Sequence, residues 1–216
     1  MKSHPITDRV FDLASKTNKN LTLDQLLDSA VARGEGKITS TGALAGDTGK
    51  FTGRSPKDKF TVADAKTNDE VWWGSINQKF DGDKFDALLE RVINHYEDKE
   101  IFVRDAYACA DPEYRLKVRV VNETAYQNLF VHHMFIRPED SEIDAIDPDW
   151  VILAAPSFMA VPDRDGTRQE NFSIINFTKN IYIIGGSGYT GEIKKGIFTV
   201  LNFTLPVEYD VLSMHC

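Results

Sequence analysis

Residues 171–216 read NFSIINFTKNIYIIGGSGYTGEIKKGIFTVLNFTLPVEYDVLSMHC, and the middle of this stretch decides the fold. Ile181-Tyr182-Ile183-Ile184 is a continuous apolar run ending in glycine, the pattern of a buried strand. Four glycines follow (Gly185, Gly186, Gly188 and Gly191), and from Glu192 to Leu205 the residues Ile193, Ile197, Val200 and Leu201 recur at helical spacing. A strand, a glycine turn and a helix start leave unpaired backbone N–H groups and the positive end of a helix dipole facing one point. Lys194 and Lys195 sit in the first turn of that helix, where a cation opposes the dipole by about 0.3–1 kcal/mol. An anion or a metal-bound oxygen is therefore expected beside them. Adjacent residues face different directions, so one of the two lysines at most enters a site. Ile193, Ile197 and Phe198 around them predict partial burial.

Outward from this unit, strands and helices alternate. Asp8–Ser15 reads as a short helix. Thr22-Leu23-Asp24-Gln25 fits a capping box, followed by an apolar face of Leu23, Leu26, Leu27, Ala30 and Val31 that Gly34 stops. Residues 34–54 are rich in Gly, Thr and Ser and read as loop with short strands, ending in Phe51–Lys59. Phe60–Val62 is a short strand, and 68–77 a loop bearing Trp72 and Trp73. Phe85, Leu88, Leu89, Val92 and Ile93 mark an amphipathic helix over about Asp83–Tyr96. Glu100–Ala110 and Tyr114–Val121 read as strands, Thr124–Phe135 as a helix capped by Asn122, Trp150–Ala155 as a buried strand, and Pro162–Gln169 as a turn. The alternation predicts an α/β fold, a mixed β-sheet flanked by helices, in one domain over 1–216.

With 33 acidic against 25 basic residues the net charge is −8, so a basic surface for nucleic acid or an anionic membrane is not expected, and any anion site must be a local pocket. The N-terminus lacks a signal-peptide core and no apolar run approaches membrane-spanning length. Two cysteines, Cys109 and the last residue Cys216, do not suggest a disulfide framework. A cytoplasmic protein, with a monomer favoured, is the expectation.

Gly186-Ser187-Gly188-Tyr189-Thr190-Gly191 satisfies G-x-G-x-x-G, and Glu208 and Asp210 lie near the distance of a ribose-binding carboxylate. The charged Lys194 and Lys195, the C-terminal position and the proline before Glu208 argue against a dinucleotide site. A structural turn and an anion or substrate site remain. Arg54 stands between Gly53 and Ser55-Pro56 in a loop suited to bidentate recognition of carboxylate or phosphate. Taken alone it also fits a mixed-charge surface loop. His215 is a lone histidine, His132 and His133 look structural, and no Walker A pattern occurs.

Together these pieces resemble a known family. Phe51–Lys59 (FTGRSPKDK), Gly188–Phe198 (GYTGEIKKGIF), Leu205-Pro206 and Ser213–Cys216 (SMHC) are similar, in order and spacing, to the N-terminal part of ATP-dependent phosphoenolpyruvate carboxykinases. The resemblance implies conversion of oxaloacetate and ATP to phosphoenolpyruvate, CO₂ and ADP, with Mn²⁺ at the active site and Mg²⁺ on the nucleotide. It implies that Arg54 binds the substrate carboxylate and later CO₂, and that Tyr189 contacts substrate beside the backbone of Gly191. Lys195 and His215 would be Mn²⁺ ligands, Lys195 as the neutral amine, and Lys194 would lie near the transferring phosphoryl group. In the family the Walker A loop, an acidic metal ligand and a second substrate arginine follow the Ser-Met-His motif. The expectation is thus a substrate-side domain that lacks the ATP site and is inactive by itself. The alternatives are a non-catalytic anion-binding module and a dinucleotide-binding oxidoreductase domain.

Overall fold

Strands and helices alternate along the chain in the computed structural model, which describes residues 1–212. Ser213 to Cys216, and with them the expected metal ligand His215, lie outside the described residues. The elements begin with α1 (Pro5–Leu13), β1 (Lys16–Lys19) and α2 (Leu23–Ala32), then a small hairpin of β2 (Gly36–Ile38) and β3 (Leu44–Gly46). Next come β4 (Lys59–Val62), β5 (Gln78–Phe80), α3 (Gly82–Asn94), β6 (Glu100–Ala108) and β7 (Leu116–Asn122). The chain continues through α4 (Ala125–Met134), β8 (Trp150–Ala155), the single turn α5 (Pro162–Asp165), β9 (Phe172–Asn176), β10 (Ile181–Gly185) and α6 (Gly191–Tyr209).

Eight strands form one sheet in the order β1-β6-β7-β8-β10-β9-β4-β5. The pairs β6/β7 and β9/β10 are antiparallel and the other five are parallel, so the sheet is mixed. Side chains alternate between its faces. Ile181 and Ile183 of β10, with Val151 and Leu153 of β8, join Val10 of α1 and Phe85, Leu88, Val92 and Ile93 of α3 on one side. Tyr182 and Ile184 of β10, with Trp150 and Ile152 of β8, meet Ile193, Ile197, Val200 and Leu201 of α6 and Val131 of α4 on the other. With both faces covered, β8, β9 and β10 are buried at every position, as the apolar runs of β8 and β10 require.

Several boundaries differ from the sequence reading. Helix α1 starts earlier than Asp8, because Pro5 takes the first-turn position and His4 caps it through its side chain to the Ile6 amide. The capping box of α2 forms as expected, Thr22 Oγ1 accepting from the Gln25 amide and Gln25 Oε1 from the Thr22 amide. Gly34, at φ +69°, follows its end, though Leu23 and Val31 of the expected apolar face are exposed. Asn122 does not cap α4: it ends β7, and its buried side chain accepts from Asn128. Helix α6 does not stop at Leu205 but runs to Tyr209 with Pro206 inside its last turns, and Asp210 closes it in a left-handed conformation. A proline this close to the C-terminus forfeits one helical hydrogen bond and leaves the core-facing turns intact.

Candidate active site

Three glycines bring the chain together at the turn from β10 to α6. A Cβ on Gly188 would stand 2.3 Å from the Thr48 carbonyl oxygen, so the 47–50 loop packs directly on this turn. Tyr126 donates its hydroxyl to the Gly188 carbonyl at 2.8 Å. A Cβ on Gly191 would stand 2.5 Å from Cζ of Tyr189, whose ring folds over the start of α6. Gly196 is pressed against Tyr182, with a Cβ position only 1.9 Å from that ring. These approaches, rather than flexibility, are what the glycines supply.

The amides at the helix start are partly spent. Glu192 N–H donates to the Tyr189 carbonyl at 3.2 Å and Ile193 N–H to the Thr190 carbonyl at 3.1 Å. Thr190, at the cap position, makes no side-chain cap. The backbone cradle for an anion is therefore smaller than the sequence suggests, and side chains carry more of the site. Lys194 is exposed, and Lys195 is half-buried with its amine 4.9 Å over the Phe198 ring. Lys195 lines a cleft of about 180 Å³ together with Pro56, Lys59, Ser173, Tyr182 and Thr199.

Pro56 lies in the loop that carries Arg54, and Lys59 opens β4 at the end of that loop. Arg54 is exposed and does not itself line this cleft. What holds the loop is its far end. The Asp58 carboxylate, almost wholly buried, accepts from Arg168 Nε and Nη2 at 2.8 Å each and from Gln169 Nε2 at 2.7 Å. The hydrogen bonds that Arg168 donates to Asp58 are the main cause that pushes its guanidinium pKa upward. Lys59 Nζ then pairs with Glu192 Oε2 at 2.9 Å, tying the loop to the first turn of α6. The Arg54 loop and the lysine pair, distant in sequence, thus meet at one edge of the sheet.

A second, larger cleft of about 440 Å³ opens at the carboxyl ends of β7, β8 and β10. Glu123, Ser157, Lys99, Arg33, Tyr126 and Gly188 are among its lining residues. The buried Glu123 accepts from the Ser157 hydroxyl at 2.7 Å, the Ser157 amide at 2.8 Å and His95 Nε2 at 2.9 Å. Burial pushes its carboxyl up, yet the bonds from His95 and Ser157 outweigh that and the net shift is downward. The carboxyl ends of strands are the usual binding edge of open α/β sheets. The sequence reading missed Glu123 because Asn122-Glu123-Thr124 looked like a helix start; it missed Lys59 and Glu192 because lone charged residues carry no spacing signal.

Glu208 does not sit in a loop at a strand end. It lies in the last turns of α6 and pairs with Lys66 at 2.8 Å, while Asp210 caps the helix. The dinucleotide arrangement is therefore not formed. Among the described residues no group of three or more His, Cys, Asp or Glu is placed to hold a metal, and no helix is long and apolar enough to cross a membrane.

The family model for phosphoenolpyruvate carboxykinase matches residues 15–216. The chain belongs to the phosphoenolpyruvate carboxykinase family. It is 56% identical over 196 residues to the phosphoenolpyruvate carboxykinase (ATP) of Christiangramia forsetii, covering 91% of this chain and 37% of that protein. Against the corresponding protein of Amoebophilus asiaticus it is 48% identical over 211 residues, covering 98% of this chain and 41% of the relative. The Bacillus cereus protein of the same name is 46% identical over 203 residues, 94% of this chain and 38% of the relative. The chain thus spans about two fifths of the length of the carboxykinases it matches. Membership supports the carboxykinase reading over an anion-binding module or an oxidoreductase domain.

Proposed function

We propose that these residues form the substrate side of an ATP-dependent phosphoenolpyruvate carboxykinase, acting within a longer protein on oxaloacetate and ATP to give phosphoenolpyruvate, CO₂ and ADP. The observation that carries this reading is the Lys59–Glu192 contact, which sets the Arg54 loop against the helix start bearing Lys194 and Lys195. Arg54, exposed on a loop anchored through buried Asp58, offers its planar guanidinium to the substrate carboxylate and afterwards to CO₂. Tyr189, folded over Gly191, borders the same turn and shapes where substrate sits. Lys194 points outward, where a phosphoryl group brought by the nucleotide side can meet it. Decarboxylation builds an enolate, and cations fixed beforehand around that oxygen lower its energy as it forms.

Mn²⁺ at the active site and Mg²⁺ on ATP belong to this proposal, with Lys195 and His215 as the Mn²⁺ ligands. The described residues contribute only Lys195 to that set and do not make a metal site by themselves. The nucleotide site, too, falls to parts of the longer protein.

Two assays test the reading. In a protein of the relatives' full length, Arg54→Ala should abolish most phosphoenolpyruvate formation while the melting temperature stays that of the parent. The 1–216 polypeptide, supplied with oxaloacetate, ATP and Mn²⁺, should form none above background; formation by it would overturn the division of labour proposed here.

A further inference from the structure

The carboxylate of Glu192 lies in the first turn of α6, only 2% exposed, on the same helix face as Lys195 three residues later. Its Oε2 takes Lys59 Nζ at 2.9 Å and the Ser173 hydroxyl at 3.3 Å. Its Oε1 is buried and has no hydrogen-bond partner among the described residues. A buried carboxylate with one oxygen unsatisfied is a poor way to stabilise a fold, because desolvating that oxygen is a net cost. Local rules are broken in this way where a side chain is kept for placement rather than stability.

What Glu192 places can be read from its neighbours. Lys59, where the FTGRSPKDK stretch passes into β4, comes directly after the Asp58 anchor, and its side chain is one third exposed. Ser173 is on β9 and stands opposite Lys59, the first residue of β4, in the register. Glu192 therefore receives one bond from Lys59 at the loop's end and one from Ser173 on the neighbouring strand β9. Asp58 fixes the loop toward the α5 side, and Glu192 fixes it toward α6. Without the side-chain tie this end of the loop keeps the Asp58 anchor and the pairing of β4 with β9 but loses its contact with α6, and the distance between Arg54 and Lys195 is no longer set from the helix side.

From this we infer that Glu192 is a positioning residue: through Lys59 it sets the Arg54 loop at the working distance from Lys195 and so governs affinity for the carboxylate substrate. The inference rests on the carboxykinase reading above. The Glu192 carboxylate holds Lys59 and Ser173, and its effect on Arg54 runs through the loop.

The test uses the full-length protein with oxaloacetate, ATP and Mn²⁺. Lys59→Met cuts the tie at a partly exposed position, and Glu192→Gln removes the charge at the buried end. Each is expected to raise KM for oxaloacetate about tenfold and to lower kcat/KM by up to about a hundredfold, the scale of small misplacements around a reacting centre. KM for ATP should not move. The double variant should be little worse than either single one, because both remove the same tie. A purely structural role would lower the folded fraction and the apparent kcat while leaving KM for oxaloacetate unchanged. Lys59→Met and Glu192→Gln with parental KM for oxaloacetate would overturn the inference, even where Arg54→Ala is inactive. An active Arg54→Ala would instead sink the reading on which it rests. Should Glu192→Gln fail to fold, Lys59→Met decides the matter alone.

Discussion

Replacing Asp58 by alanine should loosen the 52–59 loop without unfolding the domain. The Asp58 side chain is 2% exposed, and its carboxylate receives two hydrogen bonds from Arg168 and one from Gln169. Removing it strands no buried charge. The Arg168 side chain is 48% exposed and returns to water, and Gln169 Nε2 keeps the Asn171 Oδ1 acceptor at 2.6 Å. The cost should therefore fall at about 1.5–3 kcal/mol, the net worth of hydrogen bonding to a charged group. For a domain of this length that is roughly 3–12 °C in Tm. Arg168→Ala deletes the same pair from its other side and leaves the carboxylate buried with Gln169 alone. It should cost more than Asp58→Ala, because it leaves a buried carboxylate without its charged partner. Urea unfolding monitored by tryptophan fluorescence gives both numbers. An Asp58→Ala penalty equal to or larger than that of Arg168→Ala would refute the desolvation reasoning, because only the difference in burial separates the two changes.

Other perturbations follow from the same contacts. Burial, with Arg104 and Arg137 nearby, pushes His132 down to about 4, whereas its unfolded-state value is near 6.5. The unfolded chain alone therefore binds this proton as pH falls from about 6.5 to about 4, so stability drops through that window, and His132→Gln should flatten the fall in Tm measured there. Gly196→Ala would place a Cβ 1.9 Å from Cε1 of Tyr182, a ring that is 2% exposed. Helix propensity favours alanine, but overpacking should win by about 1–3 kcal/mol, read as a lowered Tm. Arg119 and Asp105 form a pair with both side chains at 0% exposure, Nε to Oδ1 at 2.7 Å. Asp105→Ala should cost about 3–5 kcal/mol in chemical unfolding, while Asp105→Leu with Arg119→Met should recover most of it.

Much of this architecture was legible where burial writes a pattern. The continuous apolar runs at 150–155 and 181–184 became β8 and β10, and the Phe85-to-Ile93 periodicity became α3 with all five positions buried. Thr22 and Gln25 announced the start of α2 because capping chemistry is local. Strands β1 (KTNK) and β5 (QKF) were missed because each is short, polar and at the edge of the sheet, so no apolar run marks them. Strand β9 was passed over because it abuts β10 in an apolar stretch that hides the hairpin between them. At the site, the glycine turn and the partial burial of Lys195 could be read ahead, because both follow from a strand meeting a helix. Asp58, Glu192 and Glu123 could not. Their importance lies in partners distant in sequence, and a single carboxylate looks alike whether it is solvated or holds two segments together.

Lys195→Ala in the full-length protein, assayed for phosphoenolpyruvate formation across a Mn²⁺ titration, bears most directly on the claim that the β10–α6 turn and the 52–59 loop make one substrate site. The expected result is a fall in kcat of about 10²–10³-fold, the scale for losing one preorganised charge-stabilising group, at unchanged Tm. Turnover within a few-fold of the parent, with the same Mn²⁺ dependence, would contradict it.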